Sequence, residues 1–188
     1  MRTLSILTAF ILMVSFAFTT VDPINITSPA ATDFPSIKIG NQVWMTNNWD
    51  YKTPKSWYFE NDSVNNLKYG RLYYYSNATA AAPPGWHLPT LDEWQELINL
   101  FGGDDKALPA LLDGGSSGLN LLMGGNKSAN ISPTEIFNFK DTWGFYWTDT
   151  VDGDQTAYGI HFEKGNPSIV KTTYRRANGF SVRYIKDK

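Results

Sequence analysis

The clearest periodicity in the chain is helical. Leu91, Trp94, Leu97, Ile98 and Phe101 recur at spacings of three, three, one and three, with Asp92, Glu93, Gln95, Glu96 and Asn99 on the other side. Thr90 precedes this run and Glu93 follows three residues later, the capping-box arrangement in which hydroxyl and carboxylate each satisfy a free backbone N–H. Asp92 and Glu93 also face the positive end of the helix dipole, a sufficient structural role for both acids. Gly102-Gly103 then supplies a left-handed stop. The pattern predicts a helix over about 91–101 with Trp94, Leu97, Ile98 and Phe101 buried.

Elsewhere the period is two. Ile37, Ile39, Val43 and Met45 surround Gly40-Asn41, a turn in which glycine accepts positive φ at the first central position, so a β-hairpin opens the domain. Toward the C-terminus, Phe145 to Thr148, then Tyr158, Ile160 and Phe162, then Ile169 to Tyr174, then Phe180, Val182 and Tyr184 read as strands. Turn signals at Asp152-Gly153, Gly165-Asn166-Pro167 and Asn178-Gly179 separate them into an antiparallel meander. Between these ends the pattern is weaker. Trp44 to Asp62 reads as a long loop pinned by aromatics, Arg71 to Tyr75 as a short strand, and Ala78 to Ala82 as a helical turn ended by Pro83-Pro84-Gly85. Lys106 to Leu112 reads as a second short helix, and Gly114 to Asn130 as an irregular insertion. The fold class expected is α+β: an N-terminal hairpin, one well-capped helix, long loops and a C-terminal meander.

The first segment stands outside that core. Met1 and Arg2 lead into an apolar run from Leu4 to Phe18, broken only by Ser5, Thr8 and Ser15, and Ser15 and Ala17 flank Phe16 as signal peptidase requires. Residues 1–17 are therefore expected to be a cleaved signal peptide; the run falls short of the roughly 20 residues a spanning helix needs. Residues 18–35, with three prolines and no periodicity, read as an extended linker, and 36–188 as the domain. Export as a periplasmic, cell-surface or secreted protein follows.

Composition narrows the function. The chain has no cysteine, so it has no disulfide, thiolate metal site, cysteine nucleophile or lipidated anchor, and stability must come from burial, to which an aromatic content of 15% is suited. A formal net charge of −2 without any basic run removes the footprint that nucleic acid requires.

Four stretches occur in a telling order: Ile39-Gly-Asn-Gln-Val-Trp-Met45, Tyr69-Gly-Arg-Leu-Tyr73, Pro83-Pro-Gly-Trp-His-Leu-Pro-Thr90 with Glu93-Trp94, and Gly179-Phe-Ser-Val-Arg183. Together they resemble the Fibrobacter succinogenes major paralogous domain family of exported bacterial domains, over Ile37 to Lys186. Leu88-Pro89-Thr90 and Tyr146-Trp147-Thr148 also look like the C-type-lectin-like superfold and its formylglycine-generating relatives. The resemblance implies a compact, loop-rich domain and no particular chemistry. Members of the family often carry paired cysteines, which this chain lacks, and that absence also rules out the copper-thiolate chemistry of the enzyme relatives.

The chemistry left to weigh is sparse. His87 and His161 are the only imidazoles, and neither has a fixed nucleophile nearby; His87 suits a hydrogen-bonded packing role, and His161 should face away from Tyr158, Ile160 and Phe162. Asp149, Asp152 and Asp154 form an oxygen-rich loop that offers a start toward a calcium shell, though not with EF-hand spacing, and a solvated hairpin loop is the plainer expectation. Trp57, Tyr58 and Tyr74, with Asn77 close by, are the candidates for stacking on and bonding to a sugar. Arg183 lies out of phase with Phe180, Val182 and Tyr184, and joins that candidate ligand-binding set as a surface residue that pairs with a carboxylate or stacks on a ring. No cofactor other than calcium is expected. The leading expectation is a non-enzymatic extracytoplasmic binding or adhesion module for a glycan or a protein surface. The alternatives are a polysaccharide-acting enzyme, using acids such as Asp149, Asp154 and Glu163, and a structural envelope component.

Overall fold

A computed structural model describes residues 33–129 and 136–188. The expected signal peptide, residues 1–17, and linker residues 18–32 lie outside the described residues.

The opening hairpin forms as its pattern requires. β1 (Ser36–Ile39) pairs antiparallel with β2 (Gln42–Met45) across a turn in which Gly40 has φ +60°. Among the described residues the chain continues through β3 (Ser56–Trp57), a 3-10 turn (Phe59–Asn61), α1 (Ser63–Tyr69), β4 (Leu72–Tyr73), α2 (Tyr75–Ala80) and β5 (Trp86–His87). α3 (Leu91–Leu100), α4 (Leu108–Leu111), β6 (Gly124–Lys127), β7 (Phe137–Lys140), β8 (Trp143–Asp152), β9 (Thr156–Glu163), β10 (Ile169–Arg175) and β11 (Ile185–Lys186) complete it. The architecture is mixed α+β, with short helices set around several small antiparallel sheets.

α3 carries both predicted caps. Thr90 Oγ1 accepts from Glu93 N at 3.2 Å, and the Glu93 carboxylate accepts from Thr90 N at 2.9 Å. At the other end Gly102 N donates to Asn99 O and Gly103 N to Ile98 O, a Schellman pair made by glycines at φ +99° and +87°. Trp94, Leu97 and Ile98 are fully buried, while Phe101 is only half-buried because it stands at the C-cap.

Three local expectations are corrected. The stretch expected as a strand from Arg71 to Tyr75 is a two-residue strand followed by α2, whose first residue is Tyr75; the helix ends before Pro83. The tyrosines' β preference is overridden because Tyr73 pairs with Ser56 and Phe180, which fixes where the strand must stop. The expected loop from Trp44 to Asp62 contains β3 and the 3-10 turn, and the expected irregular insertion contains β6, which pairs with β7. α1, capped by Asp62 accepting from Val64 N at 3.0 Å, has too polar a sequence to show a helical stripe.

The meander is real for three strands, in the order β10-β9-β8. The fourth expected strand is not part of it. Residues 180–184 leave the sheet and run between the others, exchanging bonds with Tyr73, Phe145 and Trp147, then with Trp49 and Met45, before β11 inserts between β2 and β5. One short segment thus ties the opening hairpin and the loop after it to β4 and β8.

Alternation along β8 and β9 places Tyr146, Ile160 and Phe162 on one face of the meander, against Trp44, Trp94, Leu97 and Ile98. Phe145, Trp147 and Ala157 take the other face, against Tyr73, Phe180, Val182 and Tyr184. The aromatics are mostly core: Trp44 meets Trp94 at 4.7 Å between ring centroids, and Trp147 meets Phe180 at 4.4 Å.

Candidate functional site

Both imidazoles are engaged in holding the fold. His87 Nδ1 lies 2.6 Å from Asp187 and Nε2 lies 3.1 Å from Glu93, so the ring bridges the C-terminal residues to the start of α3. Burial disfavours the imidazolium, but hydrogen bonds to Asp187 and then Glu93 outweigh it and hold the pKa above its ordinary value. Glu93 shifts the other way: burial raises it, and the Thr90 and His87 bonds bring it below the usual carboxylate range. His161 does face away from Ile160 and Phe162. It lies 2.5 Å from the Tyr174 hydroxyl and stacks on Trp143, and burial lowers its pKa. Neither ring stands beside a hydroxyl nucleophile placed as in a catalytic triad.

The sequence-selected residues divide into three groups. Trp57 and Tyr74 meet at 4.7 Å between centroids, with Lys127 Nζ 4.4 Å from the first ring and 5.5 Å from the second; Tyr58 covers the Arg71 guanidinium at 4.1 Å. These rings are half-buried and already face cations of the same chain.

Asn77 and Arg183 are corrected, because both are buried and neither reaches a surface. Asn77 sits inside α2. Arg183 donates from Nη1 to Met45 O at 3.1 Å and Leu119 O at 2.9 Å, and from Nη2 to Asn48 Oδ1 at 2.7 Å and Asn120 O at 2.9 Å. Period-two reasoning put it outside; the connector that carries it is enclosed on both faces, so Ser181 and Arg183 are as buried as their neighbours. The three aspartates do not converge either. Asp149 accepts from the Tyr75 hydroxyl at 3.2 Å, Asp152 and Asp154 are exposed, and no group of three or more acids or imidazoles among the described residues is placed to hold a metal ion. Burial first, and the Asp149 charge second, push the Tyr75 hydroxyl up to about 12.

What the sequence reading missed is a groove formed where the chain leaves β2. Its first cavity, of about 320 Å³, is walled by Phe34, Trp49 and Tyr51, with Asn47, Asn48 and Asp50 beside them. Trp49 is pinned edge-on by Phe34 at 5.3 Å and by Tyr184 at 5.3 Å. A second cavity of about 140 Å³ is polar, lined by Asn47, Asn48, Asp50, Asn66 and Lys68 among others. A third, of about 500 Å³, shares Lys68 and Leu122 with the second and is also lined by Tyr69, Asp113, Asp141 and Lys164.

Asn48 ties the groove floor to the core. Asn48 Nδ2 donates to Tyr69 O at 2.9 Å, and its Oδ1 takes the Arg183 bond and lies 3.1 Å from the Tyr146 hydroxyl. In the third cavity Asp141 receives the Tyr69 hydroxyl and pairs with Lys68 at 3.2 Å, and the Tyr69 bond leads in holding its carboxyl below the usual range. Two lining side chains carry a buried polar atom without a hydrogen-bond partner, Trp49 Nε1 and Asn66 Oδ1. The sequence signal was available in Asn47-Asn48-Trp49-Asp50-Tyr51, which alternates amides or acids with rings but follows no structural period.

No helix among the described residues is long and apolar enough to cross a membrane. No curated protein and no solved structure matches the chain. The family model of the Fibrobacter succinogenes major domain matches residues 37–186, which include the hairpin, the capped helix, the buried connector and the groove from Met45 onward. The chain therefore belongs to the Fibrobacter succinogenes major domain family.

Proposed function

We propose that this domain is an exported, non-catalytic binding module that holds a glycan in the groove beside β2. The observation that carries the reading is the groove's chemistry. Aromatic walls from Phe34, Trp49 and Tyr51 suit the apolar face of a sugar ring, and the exposed Asn47 and Asp50 beside them suit its hydroxyls. Export rests on the N-terminal segment, and a C-type-lectin-like arrangement of the loops belongs to the same proposal.

A glycan array probed with the mature protein, run beside a reducing-sugar release assay, tests this. Binding without release is the expected result. Asn47→Ala and Tyr51→Ala should each weaken binding without unfolding the domain. Sugar release abolished by Asp50→Asn or Asp141→Asn would replace binding with hydrolysis, and a silent array would leave a protein ligand or an envelope role.

A further inference from the structure

The two edges of the meander differ. β8 is covered, because Trp147 N donates to Ser181 O and Ser181 N to Phe145 O, which lays the connector along it. β10, at the other edge, pairs with β9 alone. Ile169 N donates to Asp104 O at 2.8 Å, so its backbone groups point away from β9, and alternation turns those of Lys171, Thr173 and Arg175 the same way. At the far end Asn178 N donates to Arg175 O at 2.8 Å. Between these two anchors the N–H and C=O of Lys171 and Thr173 bond to nothing among the described residues. Native sheet edges are commonly blunted by a proline, a bulge or a lysine. β10 has no proline and keeps an unbroken register with β9, and its one lysine, Lys171, is drawn to Asp104.

An open, regular edge accepts another strand, and the sequence of β10 suits a second copy of itself. Of the antiparallel pairings about a two-fold axis, one centred on Lys171 sets that lysine against its own counterpart, and one centred on Thr173 sets it against Arg175. Centring on Thr172 avoids both clashes of like charge. Lys171 then meets Thr173 of the second copy, so that their free backbone groups bond reciprocally, while Val170 meets Tyr174 and Thr172 meets itself. Val170, 42% exposed, gains an aromatic neighbour there. Arg175 is exposed and has no acidic partner among the described residues; it comes opposite Ile169 of the second copy, whose N–H is held by Asp104 with Asp105 next to it. We infer that this edge is an interface between two copies of the chain, joined antiparallel through β10 about an axis at Thr172.

The chain has no cysteine, so a single introduced one reports the register. Under mild oxidation Thr172→Cys should form a disulfide-linked dimer, because a residue on the axis faces itself at about 4.5 Å between Cα atoms. Val170→Cys lies on the same face and is more exposed, yet it faces Tyr174 and should remain unlinked. Sedimentation equilibrium of the wild-type protein should show a concentration-dependent dimer. Thr172→Lys and Thr172→Glu should each weaken it by about fivefold or more, and an equimolar mixture of the two should restore it, with circular dichroism confirming that both fold. One measurement needs no variant: hydrogen exchange at the Lys171 and Thr173 amides should slow as the wild-type concentration rises. A wild-type protein that stays monomeric up to about 1 mM overturns the inference. So does a dimer indifferent to charge at Thr172, or a Val170→Cys chain that links as readily as Thr172→Cys.

Discussion

Replacing Arg183 by alanine should be among the most damaging single changes in the domain. The side chain is wholly buried and donates four hydrogen bonds, to the carbonyls of Met45, Leu119 and Asn120 and to Asn48 Oδ1. No carboxylate among the described residues pairs with it; burial lowers its pKa, and those oxygens together with the Tyr146 hydroxyl offset the cost of burying the charge. Hydrogen bonds to a charged group are each worth about 1.5–3 kcal/mol, and simple addition over four would give about 6–12 kcal/mol. One side chain makes all four, so the terms do not add, and removing the charge also removes its desolvation cost. A loss of about 3–5 kcal/mol, as when one partner of a buried pair is deleted, is the expected figure. That is comparable with the loss for Phe180→Ala, which removes a buried ring from the same connector at about 3–5 kcal/mol. Urea unfolding of wild type, Arg183→Ala, Arg183→Lys and Phe180→Ala measures the order. Lysine keeps the charge but not the planar fork that reaches four acceptors, and should fall between wild type and alanine. If Arg183→Ala stays within about 1 kcal/mol of wild type, the clamp is not what holds Asn48 and the connector in place.

Thr90→Ala should lower stability by about 0.5–2 kcal/mol, since one bond of the capping box is lost while Glu93 still reaches the Thr90 backbone; denaturant unfolding reads it. The His87 bridge should make stability depend on pH. Its folded pKa is raised, so its contribution is complete below the unfolded value of about 6.5 and fades as pH rises through the folded value; melting curves of wild type and His87→Gln should converge on the alkaline side. Calcium should leave the melting temperature unchanged, because Asp149, Asp152 and Asp154 do not converge; a calcium-dependent rise abolished by Asp152→Asn would refute this.

Local chemistry made much of the architecture legible. A capping box, a glycine pair and a three-four apolar spacing are complete within a dozen residues, so α3 needed no tertiary information to be placed. The same holds for the Gly40 hairpin and for the three meander strands, whose alternation reports burial against a core on each side. What local pattern does not contain is which strands become neighbours. Residues 180–184 alternate like a surface strand, and only their route between two sheets encloses both faces, turning Arg183 from a candidate surface residue into an internal clamp. The groove depended on the same kind of information. Asn47 to Tyr51 have no period to announce them, and they line cavities only where the folded chain, with Asn48 bonded to Arg183, brings their loop beside α1 and Leu122. Motifs that satisfy their own backbone were fixed by sequence, whereas a cavity, being a relation among segments distant along the chain, existed only once the tertiary structure had brought them together.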